Sequence, residues 1–416
     1  MKAQPGVPRN SLQLILDPEF GSALVGKVIL VTAFWAQTML LVVLTFQQTG
    51  SAASVGAVTA AQLLPQLALA LVSGDMADKR GPQIPVVSGG ICTGLGCIGL
   101  ALWLATPDTA GAIPVQVPLL IASTVCGIGI ALASAAIQAV PPRLSSPSER
   151  SAAMSLNFLP TALARTLGPI GATLLAFALG TIPTLAIVGA SCLAASCIFM
   201  AIRRLGTPGH EMMPLNGLRD VLAYLRTDKP LLGVLAAVAA LGAGSEAAVT
   251  LAPSMGNMLG IGASGAGWVT AAFGVGGLVG VVGFRVSTRF FRPENIGCCS
   301  MILLGGSMAS VGLAPSLPFA TALLVVGGAS MVMGVTGFSI VAQQRSPAPF
   351  LGRVMALWVM AFTGVRPLAG IVLGFASDHA STATALVGTG VITVLASGVV
   401  YLWVRGCRGD DQPALI

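Results

Sequence analysis

The chain alternates between long apolar runs and short polar connections. A helix needs about 20 predominantly apolar residues to cross the hydrocarbon core of a bilayer, and twelve runs approach or exceed that length. The runs cover approximately residues 22–46, 54–73, 84–105, 114–140, 153–178, 182–202, 231–256, 264–287, 296–314, 317–342, 354–376 and 382–404. The pattern therefore predicts an all-α integral membrane protein with twelve transmembrane helices.

Composition supports this prediction, and charge adds an orientation. Of 416 residues, 55% are hydrophobic and 8% are charged, which excludes an ordinary soluble domain. Of the 21 Lys and Arg residues, only Arg165 and Arg366 lie well inside runs, away from the helix ends. The others lie in the tails, in even-numbered connections or at adjoining helix ends, as the positive-inside rule requires. We expect a multi-pass protein of the inner (plasma) membrane with both termini in the cytoplasm, no cleaved signal peptide and no nucleic-acid partner.

The longest polar segment divides the runs into two sets of six. The predicted organisation is a cytoplasmic tail at 1–21, a first half at 22–202, a cytoplasmic linker at 203–230, a second half at 231–404 and a cytoplasmic tail at 405–416. The halves share a sequence repeat: Gly56-Ala-Val-Thr-Ala-Ala opens the second run and Gly267-Trp-Val-Thr-Ala-Ala opens the eighth. Such repetition predicts two pseudo-symmetric six-helix halves.

A charged connection between the second and third runs stands out in so apolar a chain. It is predicted to form a tight turn whose glycines permit positive φ, and its key residues are Gly74, Asp78, Lys79, Arg80 and Gly81. Asp78 is expected to pair with amides at a neighbouring helix N-terminus or with Arg353. These residues would then act as a conformational switch; the alternative is a solvated hairpin with no moving part.

This connection resembles the loop between helices two and three of major facilitator superfamily transporters: Gly, three residues, Asp, a basic residue, one residue, Gly. The Thr-Gly-Ser-Ala turn at Thr49 and the Gly168-Pro169-Ile-Gly171 stretch are similar to the bacterial multidrug and siderophore branch, which includes the enterobactin exporters. The resemblance implies the twelve-helix fold, alternating access, proton-driven export and a helix kink at Gly168, Pro169 and Gly171. The chain departs from the pattern by lacking an arginine in the fourth run.

Three ionisable residues lie deep inside runs: Glu246, Arg165 and Arg366. A charge at the bilayer centre costs about 2.5–3.5 kcal/mol on insertion scales, so such residues are expected to serve coupling or substrate binding. With Gln37 and Asn157 they form the predicted cavity set. The hypothesis is that Glu246, approached through small neighbouring residues, takes up a proton from outside and releases it when an arginine comes closer. The alternatives are a permanent ion pair, recognition of a cationic substrate, or arginines bound to helix carbonyls freed by Pro169 and Pro367.

No nucleotide-binding loop, hydrolytic triad or metal-ligand spacing occurs in the sequence. We therefore expect no enzyme activity, no cofactor and no metal. The predicted function is proton-coupled export of an amphipathic drug, secondary metabolite or siderophore by a monomer in the lipid bilayer. A nutrient uptake symporter of the same fold and a non-transporting sensor or scaffold are the alternatives. Asp378 and His379, which follow the eleventh run, are expected to be solvated.

Overall fold

Helices account for almost all of the chain that the computed structural model describes, which is residues 11–106, 113–146, 149–202, 205, 228–346 and 351–406. Within these ranges eleven helical segments are long and apolar enough to cross a membrane, and the apolar part of one further helix covers Leu163–Leu179. Each of the twelve predicted runs corresponds to helix in the structure.

The helices of the first half of the chain are α1 (Ser11–Ile15), α2 (Pro18–Thr49), α3 (Ala52–Arg80), α4 (Gln83–Ala105), α5 (Gln116–Leu144), α6 (Arg150–Leu179) and α7 (Thr181–Ala201). Those of the second half are α8 (Lys229–Thr250), α9 (Ala252–Met258), α10 (Ala266–Ser287), α11 (Pro293–Gly312), α12 (Leu317–Arg345), α13 (Leu351–Gly364), α14 (Arg366–His379) and α15 (Thr382–Gly406).

The chain divides into two compact units. The first contains Met1–Leu44 and Leu64–Met212, and the second contains Thr45–Leu63 and Met213–Ile416. In the first unit α4 packs against α5 and α7. In the second, α12 packs against α10 and α11, α11 also packs against α15, and α8 contacts α12 to α15.

Both units use glycine pairs to bring helices together. Gly94 on α4 faces Gly189 on α7, and Gly305 on α11 faces Gly390 on α15. A Cβ atom on any of these four residues would lie closer than 3.0 Å to a backbone atom of its partner. Small residues are the usual means of close helix packing in membranes. The repeated half-sequences thus build the same contact between their third and sixth predicted spans.

This packing predicts the effect of Gly305→Ala. The added methyl group would press on Gly390 O and Val394, so we expect a stability loss of about 1–3 kcal/mol, the usual range for overpacking. The matched control is Gly306→Ala, whose Cβ would meet nothing within 4 Å. Thermal unfolding of the detergent-solubilised protein measures both variants. Equal melting temperatures would contradict the inferred close contact.

The charged connection differs from its prediction. Helix α3 continues to Arg80, so Gly74, Asp78, Lys79 and Arg80 lie in its last turns and not in a loop. Only Gly81 and Pro82 separate α3 from α4, and Gly81 has φ +83°, which favours glycine. The predicted contact between Asp78 and Arg353 involves side chains outside the described part, and it stays a prediction.

Candidate functional site

An ion pair between Glu246 and Arg366 lies inside the second unit. Arg366 Nε donates to Glu246 Oε2 at 2.7 Å. Glu246 is fully buried on α8, whereas the Arg366 side chain keeps 14% of its surface exposed. The pair therefore joins a carboxylate shielded from solvent to a guanidinium that solvent still reaches.

A helix break positions Arg366. The eleventh predicted span is two helices, α13 and α14, which meet at Val365. Pro367 has no N–H group to donate to the carbonyl of Thr363, so the helix ladder is interrupted beside the arginine. Arg366 consequently occupies the first turn of α14. Its side chain pairs with Glu246, and no hydrogen bond from Arg366 to a helix carbonyl occurs among the described residues.

Two threonines extend the ion pair. Thr250 lies one helical turn beyond Glu246, and its hydroxyl donates to Glu246 Oε1 at 2.8 Å. The Thr59 hydroxyl lies 3.3 Å from that of Thr250. The Thr59 hydroxyl donates to Val55 O at 2.9 Å, as Thr250 donates to the carboxylate, so the two hydroxyls meet as polar neighbours. Polar contacts thus link α3, α8 and α14, with Gly370 leaving room for both threonines.

Aromatic side chains flank the arginine. The Phe362 ring centroid lies 5.8 Å from Arg366 Cζ, within the range of a cation–π contact. Trp358 stacks on Phe362 with ring centroids 6.1 Å apart and an interplanar angle of 14°. The indole Nε1 of Trp358 is buried and has no hydrogen-bond partner among the described residues. The face formed by Trp358, Phe362 and Arg366 combines two stacked rings with hydrogen-bond donors.

The small residues before Glu246 do not leave room for water or substrate, contrary to the expectation from sequence. A Cβ atom at Gly242 would collide with the backbone carbonyl of Phe362, and one at Gly244 would lie 2.7 Å from Thr393 Oγ1. The neighbouring helices fill the space that the missing side chains leave. Access to Glu246 consequently depends on Arg366.

Asp378 is exposed, as expected, and it also has a structural partner. Its carboxylate accepts hydrogen bonds from Ser51 Oγ at 2.6 Å, from Ala52 N at 2.7 Å and from Ala53 N at 2.9 Å. These amides belong to the first turn of α3, where N–H groups have no intrahelical acceptor. A carboxylate from α14 therefore caps the N-terminus of α3. We call Asp378, Ser51, Ala52 and Ala53 the clasp.

The sequence did not indicate that Lys27 is buried, because the residue lies near the start of the first run, where basic residues usually mark a helix end. It lies within α2 and is 3% exposed. Its ammonium group contacts Asn157 Oδ1 and donates to Asn157 O at 2.8 Å and Gln138 Oε1 at 3.4 Å. Asn157 also donates to Gln138 at 2.7 Å. Asn157 thus forms a polar cluster that joins α2, α5 and α6, next to a small cavity with mostly apolar walls.

The other predicted site residues of the first unit have separate partners. Arg165 Cζ lies 5.0 Å from the ring centroid of Trp35. Gln37 is fully buried, its Nε2 donates to Thr38 at 2.9 Å, and its Oε1 has no partner among the described residues. Arg165 and Gln37 therefore belong to the interior of the first unit and not to the Glu246 ion pair.

The predicted kink motif lies within a continuous helix. Helix α6 runs through both Pro160 and Pro169. Gly168 allows close approach to α2, because a Cβ there would come 2.7 Å from that of Trp35. Gly171 faces open space. Close packing at Gly168 is thus the clearest structural use of this motif.

The family of this chain follows from its similarity to known proteins. A model of the Major Facilitator Superfamily matches residues 24–365. The chain belongs to the major facilitator superfamily. Over 147 residues it is 27% identical to the multidrug efflux pump Tap of Mycolicibacterium fortuitum, an alignment that spans 35% of each protein. The predicted resemblance to the superfamily is confirmed, and the chain matches about a third of the length of this multidrug efflux pump.

Solved major facilitator structures share the fold at low sequence identity. A bacterial homologue of the human lysosomal transporter Spinster superposes with a TM-score of 0.77 and 12% identity, covering 96% of this chain and 100% of that one. A mutant of the nucleoside transporter NupG superposes with a TM-score of 0.76 and 12% identity, covering 93% of this chain and 100% of that one. A D-xylose–proton symporter superposes with a TM-score of 0.71 and 16% identity, covering 95% of this chain and 100% of that one. The chain is a multi-pass membrane transporter of small molecules, with a family and fold that are not those of enzymes.

Proposed function

We propose that this transporter exports an amphipathic drug, secondary metabolite or siderophore from the cytoplasm in exchange for protons. The observation that carries the proposal is the Glu246–Arg366 ion pair, a fully buried acid held by a partly exposed base. Similarity to a multidrug efflux pump supports export over uptake. Both termini are cytoplasmic in this proposal, and the two sequence halves rock about a central site.

In the proposed cycle, a proton on Glu246 neutralises the carboxylate and weakens its bond to Arg366. In this form the substrate leaves on the outer side, and release of the proton to the cytoplasm lets Arg366 return to the carboxylate and restores the form that binds the next substrate. Thr250 keeps Glu246 oriented through both steps because its hydroxyl can donate to the carboxylate or accept from the acid. Coupling follows because proton and Arg366 compete for the same carboxylate oxygens.

Transport in oriented membrane vesicles tests direction and coupling together. The probes are ethidium and 2,3-dihydroxybenzoate, a cationic and an anionic aromatic molecule. We expect inside-out vesicles with an acidic interior to accumulate at least one probe, and a protonophore to abolish the accumulation. Proton-driven entry into right-side-out vesicles would identify an uptake symporter. Binding without movement of either probe would identify a sensor or scaffold.

A further inference from the structure

Most of the hydrogen-bonding capacity of Arg366 is unused. A guanidinium carries five N–H groups. Only Nε is engaged, on Glu246 Oε2 at 2.7 Å, and the two terminal nitrogens have no acceptor among the described residues. The side chain keeps 14% of its surface exposed, and its terminal nitrogens can donate to a molecule that reaches them.

Trp358 supplies a second hydrogen-bond donor that has no acceptor among the described residues. The residue is 9% exposed, and Nε1 is buried with no acceptor in the described part of the chain. Buried donors in folded proteins are nearly always paired, because an unpaired one costs about 1–3 kcal/mol. An oxygen of a bound molecule would satisfy this donor.

Phe362 connects the two donors. It stacks on Trp358 with ring centroids 6.1 Å apart and lies 5.8 Å from Arg366 Cζ. Trp358, Phe362 and Arg366 therefore follow one another in contact, with two aromatic rings and with the N–H groups of Trp358 and Arg366 at the two ends. Aromatic ligands gain from stacking on such rings, and a guanidinium binds carboxylate oxygens through two parallel hydrogen bonds.

We propose that Trp358, Phe362 and Arg366 form a subsite for an aromatic molecule that carries carboxylate or phenolate oxygens. The proposal rests on the proposed function, since the occupant would be the transported molecule. A cationic ligand is less favoured here, because Arg366 neutralises the charge of Glu246 and each carboxylate oxygen already accepts one hydrogen bond. The unused groups of this face are donors, and they select for acceptor-rich, anionic ligands.

The decisive variant is Trp358→Phe, which keeps a stacking ring and removes only the N–H donor. Binding of 2,3-dihydroxybenzoate to the purified full-length protein is measured by ligand-observed NMR at equilibrium. We expect affinity to fall by about tenfold or more, as for the loss of a hydrogen bond to a charged group. The melting temperature without ligand should stay the same or rise, because the variant removes an unpaired buried donor. A tryptophan with a purely structural role would show the reverse, with lower stability and unchanged affinity.

Arg366→Lys is the second variant to be measured in the binding experiment. Lysine keeps a positive charge next to Glu246 and loses the planar fork, so we again expect affinity to fall by about tenfold or more. The matched control is Trp268→Phe. Trp268 is 56% exposed on α10 and already donates to Thr321 at 3.0 Å, so its loss should leave affinity unchanged. Benzyltrimethylammonium serves as the aromatic cation of similar size and should bind more weakly than 2,3-dihydroxybenzoate.

Unchanged affinity in Trp358→Phe, or tighter binding of the cation than of the anion, would overturn the subsite. So would an absence of any measurable binding of 2,3-dihydroxybenzoate. These measurements require neither a gradient nor a direction of transport. A failed subsite therefore leaves proton-coupled export to be judged by the vesicle experiment, and a failed vesicle experiment leaves the binding result intact.

Discussion

Glu246→Gln should reduce gradient-driven efflux to the level of empty proteoliposomes while substrate binding persists and loses its dependence on pH. Glutamine keeps the shape of glutamate, its oxygen can accept from Arg366 and its amide group can donate to the Thr250 hydroxyl, but it cannot take up a proton. The fold is retained because the hydrogen bonds of this buried site remain possible. Efflux and equilibrium binding, each measured across a pH series, check the two halves of this expectation.

Two variants serve as controls for Glu246→Gln. Thr250→Val removes the hydroxyl that donates to Glu246 and leaves the carboxylate free to ionise, so coupled efflux should continue with an altered pH profile. Glu294→Gln changes an acid in the first turn of α11 and should behave as wild type. If Glu246→Gln still pumps with the wild-type pH dependence, the proton carrier lies elsewhere, and Lys27 becomes the next residue to test.

Asp378→Ala should open the predicted outer end of the transporter. The clasp ties the first turn of α3, from the first half of the sequence, to the end of α14, from the second, with three hydrogen bonds to one carboxylate. Losing them should shift the conformational balance by about 2–4 kcal/mol, roughly 30- to 1000-fold, given the usual strength of hydrogen bonds to charged groups. Gly374 approaches the backbone of Ala52 closely, so the two helices are in direct contact next to the clasp.

Cysteine labelling measures this effect. Val58 is 2% exposed on α3, and Val58→Cys in a background without other cysteines reports whether the region around it opens. We expect an impermeant maleimide added outside to react much faster in Asp378→Ala than in the parent, with Ser51→Ala intermediate. Ser377→Ala, next to Asp378, is the control and should not change the rate. Equal rates in Asp378→Ala and the parent would mean that the clasp is not a gate.

The sequence by itself determined the helical architecture. An apolar run in a bilayer must satisfy its backbone hydrogen bonds internally, so each of the twelve runs had to become helix. Proline placed the interruption at Arg366 for an equally local reason, the missing N–H of Pro367. The sequence also singled out Glu246 and Arg366, because an ionisable residue within an apolar run is rare enough to stand out without any structure.

Only the tertiary structure decided which groups meet. Glu246 and Arg366 are 120 positions apart, and no local pattern distinguishes Arg366 from Arg165 as the partner. Lys27 was interpreted as a helix-end residue, because its buried position depends on Asn157, which lies 130 positions away. The capping role of Asp378 was not predicted because the helix terminus that it caps begins 326 positions earlier. Backbone hydrogen bonding is local and follows from the run itself, whereas the environment of a charge is set by whichever helices pack around it.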